Sequence, residues 1–170
     1  MIIVTQIANK FNFIKWKRTL KLKGTNLVGP MNIMGYQNIH FGSNIYIGPE
    51  SYIMAKGGLI IGDNVRIGPR LTIWTENHNF KSEKMIPYDG ENILKQVIIG
   101  ANVWIGLNVI LCPGVEIGEG SIIGMGAVVR GKIPPCSIVM GNPGEIVGKR
   151  DEDIYYKLLY ENKIFTRSFK

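Results

Sequence analysis

The sequence predicts an all-β solenoid, a prism of short parallel strands wound in three-sided coils, with a protruding loop and short helices near its two ends. Three observations predict it. Large apolar residues recur every six positions at Phe41, Ile47, Ile53, Ile61, Ile67, Ile73, Ile99, Ile105, Leu111, Ile117, Ile123 and Val129. Glycine stands second in eight of those twelve hexads. Glycine also makes up 21 of the 170 residues, nearly twice ordinary usage.

With 45% hydrophobic residues in the chain, twelve such positions in a row have a chance probability on the order of 10⁻⁴. Six is not a helical period, but it suits strands, whose side chains alternate between faces. The large residue at position one and the smaller one at position five point inward. Glycine at position two is expected where the chain corners at positive φ or packs tightly. Three hexads close a coil of about 18 residues, and coils stack at ~4.8 Å, so the repeat makes roughly five to six coils and a prism roughly 25 Å long.

The repeat sets the boundaries. Residues 27–147 form the solenoid. Residues 1–26 read as a partly helical cap with Ile3, Ile7, Phe11 and Ile14 on one side; its lysines and aromatics also suit peripheral contact with a membrane surface. Residues 148–170 read as a helical segment starting near Asp151 or Asp153. A break next to Gly57 and Gly58 interrupts the hexads, and a longer loop, 79–98, follows His78 and contains Pro87, Asp89 and Gly90 as turn formers. A loop inserted in a filled prism projects outward, where it can reach a neighbouring chain.

Composition narrows the function. The net charge is +7, yet the basic residues are scattered and no nucleic-acid motif is present, so no nucleic-acid partner is expected. No apolar run approaches the ~20 residues of a membrane span, and the N-terminal stretch lacks the apolar core of a signal peptide. Two cysteines, Cys112 and Cys136, read as reduced thiols of a cytoplasmic protein. Two histidines, His40 and His78, exclude a three-histidine metal site within one chain, and no metal is expected.

The residue that carries chemistry is His78, in TENHNF at an outward position where the loop departs. Imidazole is the side chain suited to general base work at neutral pH. Glu76, Asn77, Asn79, Glu83 and Asp89 are near in sequence as groups that orient it, and spacing does not rank them. Asn77 occupies an inward-type fifth position and is a candidate to bond the corner backbone instead. Cys112, in LCPGVE, is a rival nucleophile without a base beside it. Trp104, in NVWIG, is an outward tryptophan that either lines a cleft or is covered by a neighbouring chain or the loop.

IGDNV before His78, VIIGANVWIG after it, and the closing run SIIGMGAVVRGKIPPCSIVMGNPG resemble the hexapeptide-repeat acyltransferases, in particular sugar and polysaccharide O-acetyltransferases of the maltose, galactoside and capsule type. The resemblance implies a left-handed parallel β-helix, against the usual crossover hand, and a homotrimer with sites at subunit junctions. It implies acetyl-CoA as co-substrate, a sugar or polysaccharide-precursor acceptor, and direct transfer of acetyl to a hydroxyl with His78 as base. Asn77, Asn79 and Trp104 would lie at the active cleft. Trp104, Gly106, Leu107, Gly124, Met125, Gly126, Arg130, Gly131, Lys132, Lys149 and Arg150 would hold the coenzyme, the small residues letting backbone amides reach the pantetheine arm and the basic ones its phosphates. The chain departs from the maltose and galactoside pattern in residues 48–56, which contain neither Asn nor Asp. Two other readings stay open: N-acetylation of an amino sugar or small xenobiotic, and a non-catalytic solenoid binding module.

Overall fold

The computed structural model describes residues 26–27 and 29–166. The chain winds through five coils, each with three strands. The first has β1 (Asn26–Leu27), β2 (Asn32–Met34) and β3 (Ile39–Phe41). The second has β4 (Tyr46–Ile47), β5 (Tyr52–Met54) and β6 (Leu59–Ile61). The third has β7 (Arg66–Ile67) and β8 (Thr72–Trp74), then leaves the prism through β9 (Glu76–His78) and β10 (Asn92–Leu94), and returns as β11 (Val97–Ile99). The fourth comprises β12 (Trp104–Ile105), β13 (Ile110–Leu111) and β14 (Glu116–Ile117), and the fifth β15 (Ile122–Ile123), β16 (Val128–Val129) and β17 (Lys132–Ile133). β18 (Ser137–Met140) begins a sixth turn, and β19 (Glu145–Lys149) and helix α1 (Glu152–Tyr160) follow.

Strands of successive coils pair in parallel and make three walls. The first wall runs β1-β4-β7-β12-β15-β18, with β19 added antiparallel at its end; the second runs β2-β5-β8-β13-β16; the third runs β3-β6-β11-β14-β17. Ile47, Ile67, Ile105, Ile123 and Val139 are in register on the first wall. This arrangement is a parallel β-solenoid, consistent with the left-handed winding that the resemblance implies. All position-one residues are buried except half-buried Phe41, and Ile45, Val65, Leu71, Val103, Val109 and Val115 fill the fifth positions.

Glycine at position two owes its place to close packing alone. The positive φ falls at position four, on Asn44, Glu50, Asn64, Arg70, Asn102, Asn108, Gly120 and Gly126. At position two the coils approach so closely that a Cβ on Gly62 would lie 2.7 Å from the Ala101 nitrogen.

Two boundaries move. The excursion begins inside the expected last hexad, at Glu76, and ends before Val97, so residues 97 and 98 belong to the third wall. Residues 148 and 149 end β19, and the helix starts at Glu152, capped by Asp151, whose Oδ1 accepts the Ile154 N–H at 2.9 Å. The cap expected over 1–26, with its membrane contact, lies outside the described residues apart from Asn26. No described helix is long and apolar enough to cross a membrane.

Candidate active site

Thr75 controls where the chain leaves the prism. Fully buried, it donates its hydroxyl to the Met54 carbonyl and accepts the Gly57 N–H, both at 2.8 Å. Its own carbonyl accepts the N–H of Lys95, the returning limb, at 2.8 Å. Exit and return are thereby joined at one residue. Between them β9 and β10 pair antiparallel, with His78 opposite Asn92. At the base the buried Glu76 carboxylate meets Lys56 Nζ at 3.1 Å and accepts from Asn92 Nδ2 at 3.3 Å.

A second anchor lies farther out. Asp89, also buried, accepts Asn79 Nδ2 at 2.8 Å and the Glu91 N–H at 2.9 Å. Hydrogen bonds from the Ser82 hydroxyl, the Glu91 N–H and Asn79 hold its carboxyl below the usual range, against the opposing effect of burial. Between the two anchors His78 is exposed, and its ring stacks on Tyr88 with centroids 3.9 Å apart and planes 6° apart. Neither ring nitrogen has a hydrogen-bond partner among the described residues.

Among the described residues none of the expected orienting groups hydrogen-bonds that ring. Glu76 serves Lys56 and Asn92. Asn77 is exposed, contrary to its inward-type position, because the hexad is already broken there; its Oδ1 accepts the backbone N–H of His78 at 2.9 Å. Asn79 serves Asp89. Glu83 is exposed at the loop. The group that touches the ring is Tyr88, which the sequence reading did not single out; the only signal was an aromatic next to Pro87 in the loop.

Trp104, 54% exposed, stands on the first wall in register between Arg66 and Ile122. It borders a cavity of about 570 Å³ between that wall and the C-terminal segment, lined also by Tyr46, Arg66, Tyr155, Leu158 and Phe165. Arg66 donates Nη1 to the Asn44 carbonyl at 2.6 Å and Nη2 to the Phe165 carbonyl at 2.8 Å, which holds the segment there. His78 projects from the edge between the second and third walls, so one chain does not unite it with Trp104.

The expected coenzyme residues divide among three edges. Gly106, Leu107, Gly124, Met125 and Gly126 stack where the first wall turns into the second. Arg130 and Gly131 lie between the second and third walls, the edge from which the excursion leaves two coils earlier. Lys132 opens β17 and pairs with Glu116 at 2.9 Å. Lys149 pairs with Glu152 at 3.3 Å, and Arg150 Nε donates to the Gly120 carbonyl at 2.6 Å, at the remaining edge. The amides expected to face a pantetheine arm are engaged within the coils: Gly106 N–H with Ile123, Gly124 N–H with Val139, and Gly126 N–H with Leu107. Met125 is 69% exposed on the first of these corners, and a Cβ on Gly126 or Gly131 would meet nothing within 4 Å. Among the described residues no group of three His, Cys, Asp or Glu is placed to hold a metal. Cys112 is half-buried, and burial pushes the Cys136 thiol up.

Residues 96–131 match the family described as "Bacterial transferase hexapeptide (six repeats)". The galactoside O-acetyltransferase of Escherichia coli K12 is 39% identical over 100 residues, 57% of this chain and 48% of that protein. The chain thus spans about half the length of the curated relatives it matches. Among solved structures, a galactoside acetyltransferase in complex with coenzyme A superposes with a TM-score of 0.68 at 34% identity, covering 78% of this chain and 67% of that one. A maltose O-acetyltransferase from Clostridium difficile 630 superposes with a TM-score of 0.68 at 32% identity, covering 78% and 72%.

Proposed function

The chain belongs to the bacterial hexapeptide-repeat transferases, and on that premise we propose that it transfers acetyl from acetyl-CoA to a hydroxyl of a sugar or cell-surface polysaccharide precursor. The observation that carries the proposal is His78: an exposed imidazole on a doubly anchored hairpin, with neither nitrogen engaged by the described residues. In the proposed reaction a ring nitrogen takes the acceptor's hydroxyl proton as the oxygen attacks the thioester carbonyl. The tetrahedral intermediate then expels the CoA thiolate, which takes the proton from the imidazolium. No acyl-enzyme forms. The ledge of Gly106, Leu107, Gly124, Met125 and Gly126 and, on the neighbouring edge, Arg130 and Gly131 are the surfaces proposed for the coenzyme, and Asn77, Asn79 and Trp104 for the acceptor cleft.

The separation of His78 from Trp104 supports a homotrimer in which each site draws on two chains. The excursion carries apolar side chains at its tip, Phe80, Met85 and Ile86, the last 95% exposed, which suit contact with a neighbour. The test is mass spectrometry of products from acetyl-CoA and a panel of nucleotide sugars and polysaccharide fragments, for wild type and His78→Ala. We expect an O-acetylated sugar, lost by about 10² to 10⁴ in rate in the variant, the usual worth of a general base, with CoA binding retained. Variant activity within about tenfold of wild type contradicts the base assignment. A product acetylated only on nitrogen contradicts the acceptor class.

A further inference from the structure

We propose that Tyr88 is the positioning residue of His78, doing with its ring face what a hydrogen-bonded carboxylate does for many catalytic histidines. The inference rests on the reading of His78 as the base. A base whose ring turns freely presents its nitrogen in the wrong direction most of the time, and misplacement of about 1 Å can cost on the order of 10² in rate. Glu76, Asn77, Asn79 and Asp89 are engaged elsewhere and Glu83 is exposed at the loop, while the Tyr88 ring stacks on the imidazole, 3.9 Å away and 6° from parallel. A parallel stack covers one face and leaves the ring edge, with both nitrogens, open to an acceptor. The π face also favours the cationic imidazolium that forms as the proton is taken.

The stack is held by a bracket of two consecutive residues on each limb. His78 and Asn79 lie on the outgoing limb, Tyr88 and Asp89 on the returning one. Ring meets ring, and Asn79 Nδ2 meets Asp89 Oδ2 at 2.8 Å. The Asn79 N–H also donates to the Glu91 carbonyl at 3.1 Å. Of the charged groups on the two limbs, Glu76 pairs with Lys56, Glu91 pairs with Lys84 at 3.6 Å, and Asp89 is held by Asn79 and the Glu91 N–H. Tyr88 is 43% exposed and lies outside the buried core, so its replacement spares the prism.

The chain has only two histidines, so a His40→Asn background leaves one set of imidazole resonances to follow by NMR. In Tyr88→Leu we expect the His78 ring protons to move downfield as the shielding ring is removed. We expect kcat to fall about 10- to 100-fold with KM for acetyl-CoA unchanged. Tyr88→Phe keeps both the upfield resonances and a kcat near wild type, because the face and not the hydroxyl acts. Resonances of Tyr88→Leu that coincide with wild type, or a kcat retained in it, overturn the proposal even where His78→Ala is inactive. An active His78→Ala instead sinks the base reading, while the resonances still report the stack. Should Tyr88→Leu unfold, the wild-type resonances decide: unshielded ring protons overturn the proposal and shielded ones support it.

Discussion

Asp89 shows how one carboxylate organises the excursion. Its carboxyl is held low by hydrogen bonds from Ser82, Glu91 and Asn79, so folding favours the ionised form. The stabilisation is complete above the unfolded value of about 3.9 and is lost as pH falls through the depressed folded value. Acidification below the ordinary carboxylate range therefore loosens the hairpin: amide exchange at Asn79 and Glu91, corrected for intrinsic rates, should exceed that of the core strands. Asp89→Asn should show loosened exchange already at neutral pH and a weaker acid response; a variant with the wild-type response contradicts this. At this scale the exposure of His78 agrees with its expected outward position, although the chain has already left the prism at Glu76 and the same count fails for Asn77. Tyr88 was not legible in the sequence, because its contact exists only after the Asn79–Asp89 bond brings two limbs ten residues apart into register.

Strands of two to three residues have little propensity of their own, and the coil register organises them. The apolar ladder was therefore readable from spacing, and its buried members agree with it from Ile47 to Val129. The reason for the glycines was not, since spacing does not separate a tight approach from a positive φ. The distinction is measurable by denaturant unfolding. Gly62→Ala sets a Cβ against the Ala101 backbone and should cost about 1–3 kcal/mol, as overpacking does. Asn108, exposed at φ 59°, should accept Gly within about 0.5 kcal/mol, while Asn108→Val should cost about 1–2 kcal/mol for a branched side chain in the left-handed region. An Asn108→Gly cost as large as that of Gly62→Ala contradicts this division of roles.

On the scale of the whole molecule, the walls keep His78 and Trp104 apart within one chain, a fact that followed only from counting strands onto walls. A site that uses both must join two chains. Co-refolded mixtures of inactive His78→Ala and Trp104→Ala chains should then regain activity, about a quarter of wild type for random mixing in a cyclic assembly, since one junction in four pairs two intact residues. A mixture no more active than its separate components contradicts the shared site. The most direct test of the central claim is the structure of the assembled protein with acetyl-CoA. The account predicts the pantetheine arm along the Gly124–Gly126 ledge, with the thioester carbonyl within about 6 Å of a His78 ring nitrogen, room for one hydroxyl between them. A thioester bound far from every His78 would contradict it.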